Sequence, residues 1–388
     1  MTEVCEQVCK ELKNKGENPT FVNARFVKPL DTELLDELAK DHKLFVTVEE
    51  NVRNGGFGEH VAAYMEACHP EVRVLPIAIW NRFVEHGEIA SLRAKIGLSA
   101  PDIFDAIEEW MRELLTGMIT SNLDTMFTDV NQKTGEIATQ VGQTPQGWNG
   151  SIFSMIRNLS DSVIMPIAGI IITLVLCYEL ISMLTERNNM HDIDTWMFFK
   201  YFVKMWIAVY LVSNTFTITM AVFDVGQHVV NSAAGVITGS TAIDISSALT
   251  DLSTTLESME IGELVVLALE TLIVGFCMKI LSVLITVIMY GRMIEIYLYT
   301  SVAPIPFATM SNREWGQIGT NYFRGLFALA FQAFLMMVCV AIYAVLVAGI
   351  QYSDNLSSSL FGVMAYTVIL CYSLFKTASL SKSIFNAH

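Results

Sequence analysis

Four ionisable residues interrupt otherwise apolar sequence between positions 262 and 312: Glu270, Lys279, Arg292 and Glu295. A charge at the centre of a bilayer costs about 2.5–3.5 kcal/mol on insertion scales, so each such group needs a polar partner or water. Glu270 and Lys279 are about 900° apart around a helix, on opposite faces, so each must meet a neighbouring helix, a cavity or a second subunit. Arg292 and Glu295 have the spacing of a local ion pair. These four are the candidate intramembrane polar contacts. Glu270 and Lys279 read as assembly contacts or pore lining, or else as marks of misplaced span ends. Interfacial anchoring accounts for Glu179, Lys204 and Arg292.

Other chemistry finds no constellation. Cys5 and Cys9 share a helix face, but the remaining cysteines supply no CxxC and no further metal ligands, so the thiols read as free in a reducing compartment. Gly55-Gly56-Phe57-Gly58 opens a helix, whose free N–H groups are suited to phosphate. It lacks GxGxxG spacing and a P-loop lysine, and so reads as a tight turn. His42, His60, His69 and His86 read as surface or structural residues, and Glu49-Glu50 as a strand end. No Ser/His/Asp set and no Walker motif occurs. No catalytic, cofactor-binding or metal-ligating residue is assigned.

The elements that hold these residues belong to two compositions. Residues 1–115 hold 13 Lys/Arg and 21 Asp/Glu, whereas the much longer 116–388 holds only 11 and 18. Both parts are acidic, which argues against nonspecific nucleic-acid binding through a basic surface. The change falls around Met111. Residues 1–16 are charged and amphipathic, unlike a secretory signal.

The first part alternates helix and strand. Val4, Val8 and Leu12 predict a helix ended by Gly16, Phe21–Val27 a strand, Asp31 the cap of a helix over 32–40, and Leu44–Val48 a second strand. This order predicts a parallel sheet covered by helices. Phe21–Asp31 (FVNARFVKPLD), Val46–Gly58 (VTVEENVRNGGFG), Phe83–Gly87 (FVEHG) and Gly97-Leu98 resemble the C-terminal domain of 1-deoxy-D-xylulose-5-phosphate synthase, over residues 1–109. The resemblance implies a thiamine-diphosphate enzyme whose cofactor motif and acid/base histidines lie in two upstream domains. Neither domain is in this sequence, and the resemblance implies a start inside the first helix of the third. Residues 1–110 are therefore expected to be a truncated, inactive transketolase C-terminal-like domain, with no cofactor.

The second part predicts a membrane domain. Uncharged runs cover 162–178, 205–223, 296–312, 325–353 and 355–375, and about 20 apolar residues cross a bilayer core as a helix. The expected spans lie near 162–184, 203–223, 263–290, 325–350 and 357–376. Pro304 and Pro306 predict a broken or re-entrant segment over 291–309; two full spans within 262–312 are the alternative. Residues 111–161 are expected to form an external amphipathic segment, and 162–388 the polytopic domain. Within the latter, 224–262 reads as an interfacial surface, and Gly235–Gly239 has GxxxG spacing outside any long apolar run. Arg187, Lys200, Lys204, Arg313, Arg324, Lys376 and Lys382 fall in connections opposite to the acidic 224–263 and to Asp354. Positive-inside counting then gives five crossings, a cytoplasmic C-terminus and an external segment before Ser162. That conflicts with a cytosolic-type domain at the N-terminus, unless Met111 begins a separate protein to which 1–110 was joined.

Leu115–Phe127 (LTGMITSNLDTMF), Gly135–Asn149 (GEIATQVGQTPQGWN), Glu186–Asp194 (ERNNMHDID) and Ala221–Ile237 (AVFDVGQHVVNSAAGVI) resemble the TrbL-like polytopic proteins of conjugative elements in Firmicutes, over 115–388. The resemblance implies a non-enzymatic membrane-channel subunit of a type IV secretion apparatus. Its partners would be the other secretion subunits and the cell membrane, in a homo-oligomer or multi-subunit complex, with transferred DNA contacted only indirectly. The expected fold is an N-terminal α/β domain joined to an all-α transmembrane domain of about five spans. The alternatives are a secondary transporter using Glu270 and Lys279, for which no inverted repeats are evident, and a remnant of a thiamine-diphosphate synthase.

Overall fold

The computed structural model describes residues 1–185, 195–237, 255–312, 314–350 and 356–387. The chain divides into two compact units: Met1–Met118 with Leu256–Val266, and Ile119–Thr255 with Leu267–His388.

The first unit is α/β. Its helices are α1 (Thr2–Asn14), α2 (Thr32–Leu38), α3 (Phe57–Cys68), α4 (Ile89–Ile96) and the start of α5 (Ala100–Val141). Strands β1 (Leu44–Val52) and β2 (Arg73–Ile79) pair in parallel, Leu44 opposite Arg73 through Val48 opposite Ile77, with α3 as the crossover. Side chains alternate across this ribbon as the strand period requires. Val46, Val48, Leu75 and Ile77 pack with Val8, Leu12, Ile103 and Ile107 on one face, and Phe45 and Val74 with Val61 and Met65 on the other. Asp31 caps α2, accepting from the Leu34 N–H at 3.1 Å, and Gly16 follows α1 with φ +96°.

One expectation is corrected here. Phe21–Val27 is not a strand: it pairs with neither β1 nor β2, and Phe26 is 75% exposed. Its apolar alternation finds no ribbon edge to join, and an isolated strand satisfies none of its own backbone groups. Leu44–Val48 is a strand as expected, within β1, and its partner is β2, whose Pro76 hides it from a strand search based on propensity.

The second unit is helical. After α6 (Pro145–Trp148), α7 (Gly150–Leu159) and α8 (Met165–Thr185) form one 36-residue run, joined by a π-helical turn at Ser160–Ile164. That turn ends two positions before Pro166, which has no N–H to give an α-helical bond. Helices α9 (Thr195–Ser213) and α10 (Thr215–Ile237) follow, then α11 (Ile261–Ser301), α12 (Pro304–Thr309), α13 (Gly316–Ala348) and α14 (Leu356–Ile384). Among the described residues, four helical runs are long and apolar enough to cross a membrane, or five if the bent α9–α10 pair is one span.

The expected span at 203–223 is broken: α9 and α10 meet at Asn214 with a 69° bend. There the Asn214 and Thr215 side chains donate back to the Tyr210 and Val212 carbonyls, hydrogen-bonding the end of α9 where the helix axis turns. Residues 291–301 continue α11 rather than breaking it. The break comes at Val302-Ala303, immediately before Pro304, whose ring suits the first turn of α12. No break occurs at Met111, which lies inside α5. The Glu186–Asp194 block, Arg187, Arg313, Gly239, Asp244, Asp251 and Asp354 lie outside the described residues.

Candidate functional site

The polar residues of the helical unit fall into three groups. Between α8 and α9, the Lys204 Nζ donates to Glu179 Oε1, and the Tyr201 hydroxyl donates to the Leu176 carbonyl at 2.9 Å. Near the same end of α8, the Tyr178 hydroxyl donates to Glu314 Oε2 at 3.1 Å while its ring stacks on Trp315. Glu179 and Lys204, expected separately at span ends, thus neutralise each other.

The second group lies toward the C-terminus of α11. Arg292 is only 6% exposed, its Nε has no hydrogen-bond partner, and its Nη1 is 3.9 Å from Met293 Sδ. The expected local pair with Glu295 does not form; Lys382 of α14 donates to Glu295 Oε1 at 2.9 Å instead. A salt bridge between helices has taken the carboxylate that helical spacing offered to Arg292.

The third group lies along α5 and α11. Glu270 is half-buried with Oε2 unpartnered, while the adjacent Thr271 hydroxyl accepts from Asn122 Nδ2 at 3.2 Å. Lys279 is exposed beside Phe276 and Ile280. Lys133 of α5 donates to Glu136 at 2.6 Å and to the Thr286 hydroxyl at 3.2 Å. Below it, the Tyr297 hydroxyl donates to the Pro145 carbonyl at 2.6 Å, against the Trp148 ring. The four sequence candidates are therefore not one cluster. Asn122, Lys133 and Tyr297 carried no sequence signal, because each becomes a contact only through a helix about 150 positions away.

In the α/β unit the Gly-rich turn already has an anion. Glu49 accepts from the Phe57 and Gly58 N–H groups, each at 2.9 Å, at the N-terminus of α3. A Cβ on Gly56 would strike that carboxylate, and one on Gly58 would strike Thr47 and Pro76. Asp36 accepts from His69 Nε2 at 2.7 Å and from the Tyr64 hydroxyl at 2.8 Å. The His69 bond, then the Tyr64 bond, hold the Asp36 carboxyl below its usual value, and the Tyr64 phenol is pushed up to about 12 by the hydrogen bond to Asp36. His42 contacts the Leu38 carbonyl at 3.3 Å, while His60 and His86 are exposed. Among the described residues no group of three His, Cys, Asp or Glu side chains is placed to hold a metal.

Comparison with known proteins follows this division. Residues 130–304 match the TrbL/VirB6 plasmid conjugal transfer like protein family. Over those residues the helical unit is TrbL/VirB6-like. Residues 1–103 match the transketolase C-terminal domain. Similar relatives are 1-deoxy-D-xylulose-5-phosphate synthases. That of Lachnoclostridium phytofermentans is 47% identical over 108 residues, 28% of this chain and 17% of the relative. That of Azoarcus sp. is 48% identical over 89 residues, 23% of this chain and 14% of the relative, and that of Brevibacillus brevis 40% over 110 residues, 28% and 18%. The chain thus spans less than a fifth of the length of these relatives. No solved structure matches it. With four to five apolar helices and a TrbL/VirB6-like region, this is a multi-pass membrane protein.

Proposed function

We infer that the chain is a non-enzymatic membrane subunit of a conjugal transfer apparatus of the type IV secretion kind. It contributes to a channel for DNA or protein and works beside other subunits of the same machine. The observation that carries this reading is the TrbL/VirB6-like match over 130–304, which takes in three of the apolar candidate spans. The basic connections support a cytoplasmic C-terminus and an external segment before Ser162. Glu270, Lys279 and Arg292 are the contacts through which this subunit meets neighbours or water.

The α/β unit is a remnant of a synthase and carries no activity. What supports this is that the helix N-terminus that would suit a phosphate is filled by Glu49. Deletion of residues 2–98 leaves α5 whole with its Ser99–Asp102 cap. In a mating assay this deletion is expected to retain transfer, and deletion of 316–384 to abolish it. Loss of transfer on deletion of 2–98 alone would defeat the remnant reading. For orientation, Asp251→Cys is expected to react with an impermeant thiol reagent on intact cells, and Asn188→Cys only in inverted vesicles.

A further inference from the structure

Strand β1 bonds a neighbour along one edge only. The Arg73 N–H donates to the Lys43 carbonyl at 2.9 Å, and Leu44 lies opposite Arg73. Successive residues of a parallel ladder turn their backbone groups to opposite edges, so Phe45 and Thr47 face β2 while Leu44, Val46 and Val48 face away. Among the described residues no backbone–backbone hydrogen bond reaches the outward groups of these three. The matching outward residues of β2 are Val74, Pro76 and Ala78, and Pro76 has no N–H to offer an incoming strand. Natural sheets guard their edges with proline, lysine or a bulge. The β2 edge is guarded in this way. In contrast, Leu44–Val48 carries no charge and no proline, and the register shift of β1 comes only after Val48.

The same unit holds a strand-like segment with no partner. Phe21–Val27 is exposed from end to end, Phe26 at 75% and Val27 at 51%. Three residues on, Leu30 packs with Val61 and Met65 on the α3 face, which tethers the segment, and in its own copy it bonds neither strand. An unguarded edge and an unpaired strand in one chain are complementary, and across two copies the exchange is reciprocal: each gives one strand and receives one. We propose that Phe21–Val27 of a second copy adds to the outer edge of β1, so that two α/β units hold each other by exchanged strands. On joining, the outward N–H and carbonyl groups of Leu44, Val46 and Val48 gain main-chain partners, and Val22, Ala24 and Phe26 leave water along one face of the segment. The proposal concerns the α/β unit alone and goes beyond the transfer reading, which gives that unit no activity.

The test uses two differently tagged full-length copies produced in one cell. One carries Ala24→Cys; the other carries, in turn, a cysteine in place of Leu44, Phe45, Val46, Thr47 or Val48. Oxidative cross-links between the tags are identified as peptide pairs by mass spectrometry, which separates them from links through the native cysteines. Paired strands lie about 4.8 Å apart, within disulfide reach. Cross-linking is expected to be about tenfold stronger at one alternate set of the five positions than at the intervening ones, as the strand period requires. Val48→Pro removes an outward N–H and leaves the β1–β2 bonds, as Pro76 does in β2, and is expected to abolish the link. Phe26→Asp, on an exposed side chain that supports no core, is expected to abolish it as well. Should Val48→Pro misfold, seen as lost amide protection at Phe45 and Thr47, Phe26→Asp decides the matter alone. Absence of any link between tags, equal linking at all five positions, or a link untouched by Phe26→Asp overturns the exchange. Links confined to one chain overturn it by pairing the segment in its own copy. Links between two copies that both carry Val46→Cys, without Ala24→Cys, overturn it by joining β1 directly to β1.

Discussion

Glu49 does for α3 what a bound phosphate does for a nucleotide-binding helix: it places negative charge on free N–H groups at the positive end of the dipole. Glu49→Ala is expected to destabilise the α/β unit by about 1–2 kcal/mol, the usual cost of losing such a cap, as read by denaturant unfolding or amide exchange in α3. Asp36 gives a pH signature. Its carboxyl titrates below the ordinary value of 3.8 in the folded unit. Its hydrogen bonds therefore stabilise fully above about pH 4 and are lost as pH falls through the depressed folded value. Asp36→Asn should be less stable than the parent near neutral pH, with the difference shrinking toward zero in acid; a constant difference would refute the assignment. Arg292 tests the opposite case, a buried charge with an unpartnered Nε. Replacing a buried charge by an apolar side chain of similar size is often neutral or stabilising by about 1–4 kcal/mol. Arg292→Met should therefore keep or raise thermal stability in detergent while lowering transfer, and a fall in both would make its role structural.

Among the helices, small residues set the approaches. A Cβ at Gly226 of α10 would stand 3.1 Å from both the Cβ and the carbonyl oxygen of Ala330 on α13. Gly226→Leu is expected to force the helices apart at a cost of about 1–3 kcal/mol, visible as lower detergent melting, whereas Gly226→Ala should be milder. In the α13–α14 pair, Tyr343 and Thr367 share a 2.9 Å hydrogen bond. Tyr343→Phe should cost only about 0.6 kcal/mol, the mean for bonds between membrane helices. The sequence showed such helices clearly, because long uncharged runs have few alternatives in a folded chain. Charge spacing was a poorer guide to partners: Glu295 turned to Lys382, 87 positions away, because tertiary approach outranks local helical reach. In the α/β unit the pattern of Leu44–Val48 was decisive, since its alternate residues serve two separate cores. Phe21–Val27 has equal strand character and no neighbour to realise it, and Pro76 concealed the strand that β1 does pair with. Lys133 and Tyr297 were illegible for a simpler reason: no local rule points from a residue to a helix that the chain reaches much later.

For the molecule as a whole, two family likenesses follow one another along one polypeptide without a break in secondary structure, since α5 runs through Met111. Membrane association should reside in residues 119–388. Both the full chain and the variant lacking 2–98 are expected to stay in the pellet after alkaline carbonate washing, and release of either would contradict a multi-pass protein. Helix α11 adds a mechanical consequence. Its 41 residues make it about 60 Å long, against a hydrocarbon thickness of about 30 Å. Exposed apolar side chains run along it from Val265 to Leu298, interrupted by exposed Lys279, so away from that one charge sliding by a turn replaces one greasy ring with another and exposes little new surface. Such a helix sets no depth of its own. Depth falls instead to the ring-bearing ends of shorter helices, such as Tyr178 stacked on Trp315. The protein should therefore tolerate bilayers of different thickness.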